Sequence, residues 1–180
     1  MRILLNDTAA VLIDIQEKLF PHMAEGKAIL QNSLKLIDGL QALCVPVLVT
    51  QQYTKGLGPT ISPVTEKFPE FNFIEKIAFS CCDEPAFMDW LDDLDKRNII
   101  LFGIETHVCV MQTCIDLKKH GFQPVVIEDC ITSRRLGDKI TAIERMRTEG
   151  AVITTMESIL FELTRFAGTD VFKTISKIVK

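Results

Sequence analysis

Three residues that could together make a nucleophilic site stand at or just past the ends of short apolar runs: Asp14, Lys76 and Cys109. Asp14 closes the run Ala9-Ala10-Val11-Leu12-Ile13, so its carboxylate lies either at the rim of a crevice or in the interior as a costly buried charge. A simple cap for the following turn is the ordinary alternative. Cys109 follows Asn98 to Gly103 across Ile104, Glu105, Thr106, His107 and Val108, and a helical pattern continues through Met111, Cys114, Ile115 and Leu117. At a helix start, unpaired N–H groups and the positive end of the dipole lower a thiol's pKa and can hold an oxyanion. Those are the needs of cysteine acyl transfer. Cysteine is also a common small core residue, and only its position after a central strand sets Cys109 apart. Lys76 emerges between Phe73-Ile74-Glu75 and Ile77-Ala78-Phe79, where an ammonium would stabilise both an aspartate and a thiolate. A lysine snorkelling to the surface is the competing reading.

Other chemistry-bearing residues are weaker candidates. His107 lies two positions from Cys109, an offset that points helical side chains apart. His120 stands beside Gly121 at a helix end, where a cation suits the dipole. His22, after Phe20 and Pro21 in the segment leaving the first strand, is the alternative base. Cys81 and Cys82 are adjacent and lack partners at zinc-ligand spacing, so no metal site is expected. Dinucleotide, phosphate-loop and serine-elbow motifs are all missing.

The elements that must position these residues follow from periodicity. Ala9 to Asp14, Val45 to Thr50, Asn98 to Gly103, Pro124 to Glu128 and Ala151 to Thr154 are nearly continuous apolar runs, as strands buried on both faces require, and Phe73 to Glu75 is a sixth, shorter candidate. Helices are expected over Ala28 to Leu43, Pro85 to Asp95, His107 to His120 and Lys139 to Thr148, with Gly121 and Gly150 as caps. The alternation predicts an α/β fold, a three-layer α/β/α sandwich with a parallel Rossmann-like sheet. In such sheets ligands bind beyond the carboxyl ends of the strands where the strand order reverses. Tyr53 to Pro69, with three prolines and two glycines, reads as a long loop over one edge of that crevice.

Composition narrows the function class. A chain of 180 residues with 47% hydrophobic and 24% charged residues suits a single domain over 1–180, burying roughly 70% of the unfolded surface. Net charge of −4, dispersed along the chain, leaves no footprint for nucleic acid. Neither a secretory signal nor a membrane-length apolar run is apparent, so the expected location is cytoplasmic and the six cysteines are expected as free thiols.

The opening Leu12-Ile13-Asp14-Ile15-Gln16, the Glu75-Lys76 pair, the run Gly103-Ile104-Glu105-Thr106-His107-Val108-Cys109-Val110, and Glu128-Asp129 with Ser133-Arg134-Arg135 resemble the isochorismatase-like cysteine hydrolase superfamily, over nearly the whole chain. The resemblance implies a parallel six-stranded sheet and a triad in which Asp14 takes the proton of Cys109, the thiolate attacks an amide-type carbonyl, and Lys76 stabilises the charged pair. It also implies a non-proline cis peptide at Ile104-Glu105, with Ile104, Glu105, Val108 and Cys109 forming the oxyanion turn. Gln16, Phe20, His22, Gln52 and Tyr53 are the expected pocket residues. Nicotinamidases of the superfamily carry an aspartate and histidines as a metal site after the second strand. Thr50-Gln51-Gln52-Tyr53-Thr54-Lys55-Gly56 stands there instead, which disfavours nicotinamide and implies no metal or other cofactor. The expected activity is hydrolysis of a small-molecule C–N bond by a homo-oligomer, dimer or tetramer, that binds neither nucleic acid nor membrane. Vinyl ether hydrolysis, thiol redox chemistry and a catalytically silent binding protein on the same fold are the alternatives.

Overall fold

The computed structural model describes residues 1–180. Its centre is a six-stranded sheet in the order β3-β2-β1-β4-β5-β6, every neighbouring pair parallel. The strands are β1 (Thr8–Ile13), β2 (Val47–Gln52), β3 (Ile74–Lys76), β4 (Asn98–Ile104), β5 (Gln123–Thr132) and β6 (Val152–Thr154). β1 and β4 are buried along their whole lengths, which explains why their sequences are apolar without alternation.

Helices α1 (Gly26–Ala42), α7 (Met156–Thr164) and α8 (Asp170–Ile178) pack together on one face. The crossovers through α4 (Pro85–Leu94), α5 (Met111–Lys119) and α6 (Leu136–Thr148) cover the other, completing the α/β/α sandwich. The structure corrects several boundaries. Two four-residue helices, α2 (Thr54–Leu57) and α3 (Ser62–Thr65), interrupt the stretch read as loop. α7 was not anticipated at all; Thr155 caps it by accepting from the Ser158 amide, and Ile159, Leu160 and Leu163 face the core. α5 begins only at Met111, because Thr106–Val110 forms a wider π-helical turn ahead of it.

β5 extends past its expected end at Glu128. Its pairing with β4 slips between Leu101 and Gly103, where the partner jumps from Val126 to Ile131. The extra residues hold Asp129 out of the regular ladder, and its Oδ1 accepts the Met156 amide at 2.8 Å, tying β5 to the start of α7.

Gly103 lies opposite Ile13 in the β1–β4 ladder with φ of +119°, and a Cβ built there would collide with the Ile13 carbonyl and amide. The two central strands can therefore close at their carboxyl ends only if this residue lacks a side chain. Gly103→Ala combines a forbidden backbone with backbone overlap and should cost about 3 kcal/mol or more, read as a lowered denaturation midpoint at unchanged slope in urea.

Candidate active site

The strand order reverses between β1 and β4, so the residues that leave these two strands emerge side by side. Asp14 leaves β1 with φ of +53°, a left-handed conformation that aspartate tolerates better than most residues. That turn drives its carboxylate into the interior, where it is fully buried. Thr50, paired with Ile13 across the β1–β2 ladder, donates its hydroxyl to Asp14 Oδ1 at 2.8 Å.

Lys76 ends β3, the edge strand, yet its side chain is as buried as that of Asp14 and its Nζ lies 2.7 Å from Asp14 Oδ2. The ammonium also donates to Gln52 Oε1 at 2.7 Å and to the carbonyls of Phe79 and Ala78 at 3.2 and 3.3 Å. Burial by itself would lower the lysine's pKa. The Asp14 charge and its hydrogen bond oppose this, and the net shift is upward, which favours the charged form of Lys76. The ion-pair contact with the ammonium is what compensates Asp14 Oδ2.

Cys109 stands in the π-helical turn after β4, 5% exposed. Burial pushes its thiol well above the ordinary range, the Asp14 charge and hydrogen bond add to that, and Lys76 opposes it. This reverses the expectation of a thiol acidified by a helix start. The helix dipole acts from α5, which begins two residues later, while desolvation and a neighbouring carboxylate act directly on the sulfur. The resting site is a neutral thiol beside an ion pair.

The peptide Ile104–Glu105 is cis, as the resemblance implied. Glu105 accepts from the Arg134 amide and from Arg134 Nε, both at 3.1 Å, so the turn is tied to the segment leaving β5. Val108, expected among the oxyanion donors, spends its N–H on the Glu105 carbonyl at 3.1 Å. Its role here is to shape the turn.

The five expected pocket residues separate into frame and rim. Gln16 is fully buried; its amide exchanges hydrogen bonds with the Gln52 backbone at 2.7 and 3.0 Å and donates to the Gly58 carbonyl at 2.6 Å. It braces β2 against the following segment and does not face a crevice. Gln52 is likewise structural, bridging Lys76 and the Ile77 carbonyl. Phe20 is half-buried against Gly26, and His22 is exposed in the same short turn without a side-chain hydrogen bond, so it is not a base for Cys109. Tyr53 stays at the rim, 49% exposed. His107 points its Nδ1 at Ser133 Oγ, 2.9 Å away, and His120 follows the end of α5. No three His, Cys, Asp or Glu side chains converge as metal ligands.

Sequence reasoning missed Thr50, Cys81 and Thr113. Cys81 is fully buried near Asp14 and Lys76, and its amide donates to Thr113 Oγ1 at 2.9 Å. A usable signal existed for Thr50: the polar run Thr50-Gln51-Gln52 ends an otherwise apolar strand that neighbours β1.

The chain matches the Isochorismatase domain family over residues 8–158. It is similar to Isochorismatase family protein 1B of Dictyostelium discoideum, with 36% identity covering 97% of this chain and 87% of that one. In structure it is similar to the MAR1 ribonuclease of Caenorhabditis elegans, with a TM-score of 0.93 and 35% identity covering 99% of this chain and 92% of that one. The YcaC gene product of Escherichia coli, described as an octameric hydrolase of unknown specificity, shares the fold at a TM-score of 0.93 and 24% identity, covering 99% of this chain and 89% of that one. With a parallel six-stranded sheet and a family match over residues 8–158, this chain belongs to the isochorismatase family.

Proposed function

We propose that this chain, acting as one hydrolase domain over 1–180, is a cysteine hydrolase of small-molecule amides or related C–N bonds, with Cys109 as nucleophile, Asp14 as base and Lys76 as the fixed cation. The observation that carries the reading is the buried Asp14–Lys76 pair beside a buried thiol. The carboxylate of that pair is where the thiol proton can go. A carbonyl carbon entering the site would be attacked as the proton passes from sulfur to Asp14, leaving a thiolate-derived C–S bond and an oxyanion. Protonated Asp14 then returns the proton to the departing amine, and the same carboxylate deprotonates the water that cleaves the thioester. Lys76 keeps the net charge of the pocket near neutral throughout.

A neutral thiol at rest suits this cycle, because the reactive thiolate forms only when Asp14 is placed to receive the proton. The ribonuclease similarity of the worm protein makes RNA the natural control substrate. A net charge of −4 and a buried, uncharged thiol favour small neutral substrates over a phosphate backbone. Cleavage of a vinyl ether in place of an amide would change the substrate class and leave the triad roles intact.

We place the chain in a reducing compartment, the cytoplasm, on the strength of its six free cysteines; no helix is long and apolar enough to cross a membrane. Homo-oligomer assembly is supported by exposed apolar residues at the β3 edge, Phe73, Ile77 and Phe79, and on α6, Leu136 and Ile140.

Two measurements check the mechanism. In a screen of small amides with RNA as control, Cys109→Ser and Asp14→Asn should each lower kcat by on the order of 1,000-fold or more while the chain stays folded. Retained turnover in either variant would overturn the triad. Iodoacetamide labelling of Cys109 should accelerate with pH through a midpoint above the free-thiol value of about 8.5. Since Asp14 raises the thiol's pKa, Asp14→Asn removes a negative charge, favours the thiolate, and should speed labelling at neutral pH in the variant that has lost turnover. A labelling rate indifferent to Asp14 would mean that the two groups are not coupled.

A further inference from the structure

A second buried thiol, unused by the proposed hydrolysis, lies against the same carboxylate. Cys81 begins the short turn Cys81–Asp83 and is 0% exposed. Two independent tethers fix its place. Upstream, the carbonyls of Ala78 and Phe79 accept from Lys76 Nζ, so the chain reaches Cys81 directly from the triad's ammonium. At Cys81 itself, the amide donates to the buried Thr113 hydroxyl at 2.9 Å, and Thr113 lies one helical turn beyond Cys109 on the same side. The Thr113 and Thr50 hydroxyls both favour the Cys81 thiolate, and Thr50 is the residue that donates to Asp14. Cys81 and Cys109 each feel the charges of Asp14 and Lys76.

The remaining cysteines are directed elsewhere. Cys82 turns toward the Thr113 carbonyl and Asp116, Cys114 toward Glu149 and Lys118, Cys130 lies beside Asp129, and Cys44 is exposed beyond the end of α1.

We propose that Cys81 is the resolving thiol of Cys109, so that a small hydroperoxide converts the pair into an intramolecular Cys81–Cys109 disulfide that switches the nucleophile off reversibly. This rests on Cys109 being the reactive sulfur. In the first step Asp14 takes the Cys109 proton as the sulfur attacks one peroxide oxygen, the O–O bond breaks, and the departing alkoxide or hydroxide recovers that proton. Sulfur loses two electrons to become a sulfenic acid, and the peroxide is reduced to an alcohol, or to water from hydrogen peroxide. In the second, the Cys81 sulfur attacks the sulfenic sulfur, the S–S bond forms, the S–O bond breaks, and hydroxide leaves as water with the Cys81 proton. Asp14, whose charge acts on both thiols, is the base for that proton. A dithiol returns the pair to its starting state by exchange. Because the condensation consumes the sulfenic acid, it protects Cys109 from irreversible oxidation to the sulfinic acid.

The test uses the purified, fully reduced chain exposed to hydrogen peroxide, blocked with N-ethylmaleimide, digested and mapped by mass spectrometry. The expected product is a cross-linked peptide pair lacking two hydrogens, joining the Cys109 peptide to the one that carries Cys81 and Cys82, and reversed by dithiothreitol. The cross-link should vanish in Cys81→Ser, with Cys109 advancing to the sulfinic acid, and persist in Cys82→Ser. If Cys81→Ser does not fold, Cys81→Ala serves the same purpose. Sulfinic acid at Cys109 of the native chain with Cys81 still blockable by maleimide would overturn the resolving role alone. A cross-link surviving loss of Cys81 would do the same by assigning it to Cys82. A Cys109 that peroxide leaves unchanged would overturn this role, while the nucleophile assignment is decided separately by the turnover of Cys109→Ser.

Discussion

The ion pair between Asp14 and Lys76 is the constraint around which this end of the molecule is organised. Both side chains are wholly removed from water. Taking either charge alone into such surroundings would cost several kcal/mol, and deleting one partner from a buried pair typically costs about 3–5 kcal/mol because the other is stranded. The surrounding residues compensate for this cost. Thr50 supplies a donor to one carboxylate oxygen, while Gln52 and the carbonyls of Ala78 and Phe79 complete the ammonium's shell. Gln16 in turn locks the backbone of Gln52. A polar network of this kind rigidifies its members when it is satisfied, and Cys109 lies beside its carboxylate.

The fold delivers these groups through three different strand ends. β1 and β4 flank the reversal of strand order and bring Asp14 and the Cys109 turn together; β3 reaches the same place from the sheet edge with β2 between. Gly103 permits the closest approach, since its missing side chain lets β4 pass the Ile13 backbone. The Glu105–Arg134 contact then ties the nucleophile turn to the segment leaving β5, which the irregular β4–β5 pairing has displaced. Geometry at the sulfur thus depends on contacts from both sides of the switch point.

Burial decides the protonation state of the thiol. A helix start favours the thiolate by a fraction of a unit charge, whereas loss of hydration and a carboxylate in contact oppose it far more strongly. The result is a Cys109 thiol held neutral beside the ion pair. The same surroundings hold a second thiol, Cys81, protonated, with burial pushing it up to about 12.

Much of this architecture was legible from residue order alone. Unbroken apolar runs at β1, β2, β4 and β5 can be accommodated only by a sheet covered on both faces, and a charged residue ending such a run, as Asp14 does, has few places to be. The triad candidates and the cis peptide position were visible in the same way, through their place after strands and their resemblance to a family pattern. Local sequence could not reveal what depends on neighbours distant along the chain. α7 carries an apolar stripe at Met156, Ile159, Leu160 and Leu163, but at nine residues it is too short to stand alone and is stabilised by packing on α1 and α8. Gln16 reads as a crevice residue until its partners at Gln52 and Gly58 are in place. The sign of the Cys109 shift and the nearness of Cys81 are set by burial and by charges that come from β1, β3 and α5. Residue types and strand ends were written in the sequence; hydration, hydrogen-bond direction and the second thiol were decided only when the strands closed, because each is a property of atoms brought together from separate parts of the chain.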